Sequence, residues 1–282
     1  MLKAGVVGLG EMGGGAAICL ARAGRPLTVY DINPHAALKW EDGNLVPPVA
    51  ANCAEVARNA DVVIVLVLDA KQVWSVLSGP DGLLAGAKPG LVVVIGSTIA
   101  LDELTKMRDT ASAFGVTIVD CGVTSPRGGH TRKRIIGMVG AEPEVFARIK
   151  EVLDDFTQEA LLMGGPGAGM TTKIVRNMMY YATWRAACEA QILAQHAGVD
   201  IAKMATINQL SESDQSGLTL WLKSFAARDS IVGGKDAVHD HVQGVMLKDI
   251  GAADDLAKHF GVQLPLIDLI RETADEITRP WR

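Results

Sequence analysis

No run in the 282-residue sequence is apolar for long enough to cross a bilayer: the longest, such as Val62 to Leu68, have the length of a strand, against the roughly 20 residues a spanning helix needs. A membrane is therefore not an expected partner. The start lacks a basic segment followed by an apolar one, and residues 5 to 10 already belong to a folded motif, so no export signal is expected either. Cysteine is sparse. The four present, Cys19, Cys53, Cys121 and Cys188, lie far apart, and no two have the spacing of a zinc site or a redox dithiol, which points to a reduced, cytoplasmic setting and to no metal. A charge excess of one sign is missing as well. With 27 Lys and Arg against 32 Asp and Glu, the net charge of -5 gives no general attraction to a phosphate backbone, so nucleic acid is not an expected partner. Internal repeats, low-complexity tracts and long charge runs are also lacking.

What is present is ordinary globular composition, 49% hydrophobic and 21% charged, at a length that favours two domains. Up to about Met163, short runs rich in Val and Ile alternate with stretches of helical composition: Ala4 to Val7, Leu27 to Tyr30, Val62 to Leu68, Leu91 to Ile95 and Val116 to Val119, with a further strand at Ile135 to Val139 and a helix from Pro143 to Asp154. Runs apolar at nearly every position read as strands buried on both faces, and their alternation with helices predicts a doubly wound, Rossmann-type α/β domain over 1–163 with a parallel sheet. Beyond it, Gly164, Gly165, Pro166, Gly167 and Gly169 read as a flexible hinge, followed by one long helix from Met170 to about Ala197. Helices at Ile201 to Leu210, Leu218 to Ala227, His241 to Phe260 and Leu264 to Ile277 complete an all-α domain over 164–282, expected to serve substrate binding and subunit association.

Gly8-Leu9-Gly10-Glu11-Met12-Gly13 follows the first strand and opens a helix, the context in which such a string signals a dinucleotide. The first glycine permits a tight turn, the second lets backbone amides approach a diphosphate, and the third lets helix pack on strand. Asp31, ending the second strand, stands where a carboxylate would take the adenosine ribose hydroxyls and meet a 2'-phosphate with like charge, so NAD is expected as cofactor in preference to NADP.

A second signature is Gly167-Ala168-Gly169-Met170-Thr171-Thr172-Lys173, with Asn177 one turn later. Together with the amino-terminal glycine string, with Glu189-Ala190 before Ala197-Gly198-Val199-Asp200, and with Leu247-Lys248-Asp249-Ile250, it resembles the β-hydroxyacid dehydrogenase family over nearly the whole chain. The resemblance implies a catalytic lysine at Lys173 and substrate orientation by Asn177. It also implies approach of Lys248 to the cofactor, Thr98 with Ser97 near the nicotinamide ribose, and Leu68 and Asp69 on the adenosine side. It further implies hydride transfer between NAD and a small anionic hydroxy acid or its semialdehyde, in a homodimer or homotetramer. The chemistry agrees independently: Lys173 and Asn177, at i and i+4, share a helix face, and a lysine can exchange the hydroxyl proton while hydride moves.

The chain departs from the family at Asp120-Cys121-Gly122-Val123-Thr124-Ser125-Pro126, where Asp-Ala-Pro-Val-Ser-Gly-Gly is usual. Thr124 keeps a hydroxyl, but Ser125 and Pro126 replace two glycines, and proline has no amide to offer an acid group. Thr124, Ser125 and the adjacent Arg127 are the candidate substrate contacts, with Arg132, Lys133 and Arg134 read as a solvated turn. His239 and His241 diverge on a helix and lack further ligands, so His241 is read as a substrate contact rather than part of a metal site. Alternatives are a related imine reductase, a decarboxylating dehydrogenase, or a non-catalytic NAD-binding protein.

Overall fold

The computed structural model describes residues 1–36, 47–126, 128–196, 198–211, 235–261 and 265–278. The chain forms two compact units, Met1–Lys173 and Ile174–Arg282.

In the first unit the order is β1 (Ala4–Val7), α1 (Glu11–Arg22), β2 (Leu27–Tyr30), α2 (Cys53–Asn59), β3 (Val62–Val65), α3 (Ala70–Ser78), α4 (Leu83–Gly86), β4 (Val92–Ile95), α5 (Leu101–Ser112), β5 (Thr117–Thr124), β6 (Ile135–Gly140), α6 (Pro143–Phe156) and β7 (Thr157–Gly164). The strands make one seven-stranded sheet ordered β2-β1-β3-β4-β5-β6-β7. β1, β3 and β4 are buried at every residue, as Val- and Ile-rich parallel strands covered on both faces must be, whereas the edge strand β2 alternates buried and half-buried positions. β2 and β3 pair with opposite sides of β1, Ala4 standing beside both Leu27 and Val62. The chain's progress across the sheet therefore reverses at β1, and the crevice beyond the carboxyl ends there is where such sheets bind ligands. α1 lies close against this point because Gly13, Gly14, Gly15, Ala16 and Ala17 are all buried and small. α6 buries Ile149, Val152, Leu153 and Phe156, a stripe at helical spacing, behind Pro143 in its first turn.

Two strand expectations are corrected, and one strand is present that the sequence did not announce. β3 ends at Val65 rather than at Leu68, because the Val67 N–H turns out of the ladder to the Ser97 hydroxyl (3.0 Å) and the segment becomes a pocket wall. The sheet is mixed: β6 runs antiparallel to β5, since the connection from Thr124 to Ile135 is too short for a crossover, while β6 and β7 are parallel through α6. β7 itself is an edge strand with Thr157 and Ala160 buried and Gln158, Glu159 and Leu161 exposed, a pattern without regular alternation.

The segment expected as a hinge after β7 is tied to the sheet through Asp120. Gly164 ends β7, and the amides of Gly167 and Met170 donate to the buried Asp120 carboxylate of β5, each at 2.7 Å. α7 (Ala168–His196) starts from this anchored turn and, at about 1.5 Å per residue, extends roughly 40 Å.

In the second unit the described elements are all helical: the rest of α7, α8 (Ile201–Ser211), α9 (Lys235–Phe260), α10 (Pro265–Glu272) and α11 (Ala274–Thr278). Trp184 and Ala187 of α7 pack with Ile201, Met204 and Ala205 of α8. The helix expected over Leu264 to Ile277 is broken after Glu272, where Thr273 returns both its N–H and its hydroxyl to Leu269. Ile267, Ile270, Ala274 and Ile277 nevertheless form a buried series across the break. The expected helix at Leu218 to Ala227 lies outside the described residues.

Candidate active site

The glycine turn is built as its spacing requires. Gly8 has φ +87°, a conformation closed to most side chains, and a Cβ there would stand 2.4 Å from the Leu66 carbonyl oxygen. A Cβ on Gly13 would lie 1.8 Å from the Gly8 carbonyl oxygen, so α1 packs backbone to backbone on the turn. Gly10, the residue preceding α1, differs: a Cβ there would meet nothing within 4 Å, and no side chain caps the helix at that end. An open approach onto a helix amino terminus is the form of a diphosphate cradle.

Asp31 closes the turn on its other side. Its Oδ2 accepts the Leu9 N–H at 2.6 Å and its Oδ1 the Asn33 N–H at 2.8 Å. A carboxylate has about four acceptor directions, which leaves two for ribose hydroxyls. Gly8, Gly10, Asp31 and Leu68 line a cavity of about 580 Å³ whose far wall includes Asn52, Cys53, Gln72 and Asp81. Among the described residues its lining contains two carboxylates and neither lysine nor arginine. Burial pushes the Cys53 thiol up to about 11, helped by the Asp81 charge, and burial likewise raises the Tyr30 hydroxyl, so both face the cavity as neutral groups. The cavity fits an adenosine with free ribose hydroxyls and repels a 2'-phosphate. Asp31→Ala is accordingly expected to raise the NADP-to-NAD ratio of kcat/KM at least about tenfold, a change of about 1.4 kcal/mol that removal of a like charge can supply. Parallel kinetics with both cofactors check this; an unchanged ratio counts against the assignment.

The remaining cofactor candidates serve differently. Asp69 caps α3 by accepting the Gln72 N–H at 2.8 Å, and Leu68 donates its own N–H to the Gln72 side chain at 3.0 Å. Thr98 is buried just beyond β4, beside the Ser97 hydroxyl that ties β4 to the β3 end. Glu11 lies 3.5 Å from the buried His130 imidazole, and Met12 packs against the core. Neither is among the residues lining the cavity.

Of the substrate candidates, Thr124 is the last residue of β5, and the half-buried Ser125 donates its hydroxyl to the Pro126 carbonyl at 3.1 Å. Arg127 lies outside the described residues. Lys173 is half-buried on α7 and packs its stem on β5, where a Cβ on Gly122 would stand 2.3 Å from the Lys173 Cβ.

In the second unit, Asn177 and Lys248 converge on Asp249. The buried Asn177 amide donates to Asp249 Oδ2 at 2.7 Å and accepts from Arg176 at 3.1 Å; the Tyr181 hydroxyl donates to the same Oδ2 at 3.2 Å. Lys248 Nζ is 3.1 Å from Oδ1, an oxygen with no aligned hydrogen bond, so this contact is one of charge. Burial first, then the Asp249 charge and hydrogen bond, push the Tyr181 hydroxyl far above its ordinary range, which keeps it a donor. His241 is exposed two turns earlier on α9. Among the described residues no three His, Cys, Asp or Glu side chains are placed to hold a metal ion, and no helix is long and apolar enough to cross a membrane.

Asp120, Gly122, Tyr181, Asp249 and the far cavity wall were not singled out by sequence as site residues. Asp249 alone carried a signal, a carboxylate placed between Lys248 and the apolar Ile250 on one helix.

Comparison with known proteins agrees along the whole chain. Residues 3–165 match the model of the NAD binding domain of 6-phosphogluconate dehydrogenase, and residues 167–280 match the NAD-binding model of NADP-dependent 3-hydroxyisobutyrate dehydrogenase. L-threonate dehydrogenase of Escherichia coli is 30% identical over 93% of this chain and 84% of its own length. 3-Hydroxyisobutyrate dehydrogenase of Pseudomonas aeruginosa is 30% identical over 94% and 88% respectively. A crystal structure of 3-hydroxyisobutyrate dehydrogenase from Salmonella typhimurium superposes with a TM-score of 0.84 at 27% identity, covering 97% of this chain and 93% of that one.

Proposed function

This chain belongs to the family of hydroxyacid dehydrogenases that includes 3-hydroxyisobutyrate dehydrogenase, and we propose that Lys173 is its proton-transfer group. The protein is an oxidoreductase that transfers hydride between NAD(H) and a hydroxy acid. The observation that carries the reading is the glycine turn locked to Asp31 at the mouth of the switch-point cavity.

Gly8, Gly10 and the first turn of α1 hold the diphosphate, Asp31 and Leu68 the adenosine, and Thr98 the nicotinamide half. The nicotinamide, when bound, supplies the acceptor or donor of hydride. Lys173 takes the proton of the substrate hydroxyl on oxidation and returns it on reduction, a contribution typical of positioned acid–base groups at about 10² to 10⁴ in rate. Asn177 orients the substrate: an amide nitrogen carries two hydrogens, and its bond to Asp249 fixes the group while leaving one to donate. Lys248, steadied by Asp249, adds positive charge toward an anionic substrate. Thr124 and Ser125 present hydroxyls, and Arg127 and His241 complete the proposed substrate contacts.

The substrate we propose is a small anionic β-hydroxy acid or its semialdehyde, and the names of the relatives support that class. We also propose a cytoplasmic homodimer or homotetramer, divided in function near residue 163 between cofactor binding and a substrate and assembly domain. Exposed Val175 and Met179, one turn apart on α7, support association. A panel of three- to five-carbon hydroxy acids, read by NADH absorbance, is expected to show turnover on members with the hydroxyl β to the carboxylate. Turnover restricted to imines or absent from every acid would defeat the reading.

A further inference from the structure

α7 carries a polar stripe where a packed helix ordinarily turns an apolar one inward. Lys173, Arg176, Asn177 and Tyr180 stand at i, i+3, i+4 and i+7, the spacing that gathers residues on one face. Lys173 and Asn177 already have proposed parts in proton transfer and substrate orientation; Arg176, between them in the chain, has none. Its half-buried guanidinium is held from two sides: Nη1 donates to Asn177 Oδ1 at 3.1 Å, and Cζ lies 4.7 Å from the centre of the Tyr180 ring. Neither partner carries a charge. Among the described residues no carboxylate stands within ion-pair distance of Arg176, whereas the guanidinium groups of Arg25, Arg185 and Arg271 each meet at least one. Asp249, at the other end of the Asn177 amide, has its charge matched by Lys248 at 3.1 Å. The Arg176 charge reaches as far as the Tyr181 hydroxyl, where it opposes the upward push of burial and of Asp249. A guanidinium fixed by a ring face and a neutral amide, with most of its N–H fork unspent, is placed to receive an anion in a bidentate way.

A substrate with an acid group needs such a receiver. Pro126 has no N–H to give, and the Ser125 hydroxyl is turned to the Pro126 carbonyl at 3.1 Å. We propose that Arg176 binds the carboxylate of the hydroxy acid and sets the preference of the enzyme for an acid over a neutral alcohol. The proposal rests on the reading that places the substrate at Lys173 and Asn177. The bond between Arg176 and Asn177 couples two contacts: the amide that orients the substrate also fixes the guanidinium that holds its acid group. Hydroxyl and carboxylate are then gripped at a set separation, so substrates are selected by the distance between those two groups.

The test compares Arg176→Gln, Arg176→Lys and, as a control on the same helix, Arg185→Gln, whose guanidinium is spent on Glu276 at 3.2 Å. Glutamine keeps a donor for Asn177 and loses the charge; lysine keeps the charge and loses the fork. The probe is isobutyrate, a small carboxylate without a hydroxyl to oxidise, titrated with NAD present and read by tryptophan fluorescence, since the Trp184 and Tyr180 ring centroids are 5.2 Å apart. Its dissociation constant is expected to rise at least about tenfold in Arg176→Gln and less in Arg176→Lys, with Arg185→Gln like wild type. Isobutyramide, the neutral counterpart, should show no such dependence. With the hydroxy acid that the wild type oxidises, KM should rise in step in Arg176→Gln while kcat moves by less than about threefold. Isobutyrate affinity that is absent from the wild type or unchanged in Arg176→Gln would overturn the proposal. So would a fall in kcat as large as the rise in KM, which is what a displaced Asn177 alone would give. Lys173→Ala run alongside separates the two claims: if it turns over normally, the placing of the substrate at Lys173 fails, whereas if it is inactive while Arg176→Gln keeps native KM and isobutyrate affinity, the Arg176 claim falls alone.

Discussion

Lys173→Ala is expected to lower kcat at least about 10²-fold, close to 2.7 kcal/mol of barrier, while NAD still binds with native affinity. The two readouts separate because the groups proposed to hold the cofactor's adenosine and diphosphate belong to the glycine turn and Asp31, whereas Lys173 stands on α7 against β5. Alanine there removes the side chain that packs its stem over Gly122 and fills no space in return. The substrate hydroxyl must then lose its proton to water, and the limb of the kcat/KM profile that reports the lysine should disappear. NAD binding by protein fluorescence, followed by steady-state kinetics across pH, measures both. Native turnover in the variant ends the proposed mechanism.

The second large effect is expected from the glycine string itself. In Gly13→Ala the new methyl carbon lies 1.8 Å from the Gly8 carbonyl oxygen, a backbone atom that cannot turn aside. α1 must lift off the turn, which breaks the placement of the Leu9 N–H on Asp31. Overpacking of this kind lowers stability by about 1 to 3 kcal/mol, and the NAD dissociation constant should rise at least about tenfold. Gly10→Ala is the informative partner, because its methyl meets no protein atom within 4 Å. That variant should melt like the native protein yet lose NAD affinity to a similar degree. Calorimetry with and without NAD distinguishes them; a Gly10→Ala protein with native affinity would show that no diphosphate comes to that place.

Local signals carried the first half of the fold. β1 and β2 begin and end where their apolar runs do, and the glycine string and Asp31, 22 residues apart, are joined by the Leu9 N–H on the Asp31 carboxylate. Where the outcome depended on which strand lies beside which, the sequence was silent. Nothing in Ile135 to Gly140 states its direction, and β7 hid because Gln158, Glu159 and the exposed Leu161 break both the buried and the alternating pattern. The polar networks were hidden for the same reason: Asp120 finds Gly167 47 residues on, and Asn177 finds Asp249 72 residues on, pairings that no local spacing announces. Within the segment expected as a hinge, Gly169 packs backbone to backbone on β5 and β6, a use of glycine that the sequence does not distinguish from flexibility.

The reversed strand determines where the chain leaves the sheet. A parallel β6 would have brought the polypeptide out at the carboxyl-terminal rim; because β6 and β7 descend instead, the exit is at the opposite rim, and α7 climbs back alongside β5. Its ascent keeps pace with the strand, about 6 Å for the four residues from Gly169 to Lys173 against about 6.6 Å for the two from Asp120 to Gly122, so helix and strand travel in step. One inverted segment thus sends the first turns of α7 toward the rim that the glycine turn occupies, with Lys173 the last residue of the sheet-bearing unit.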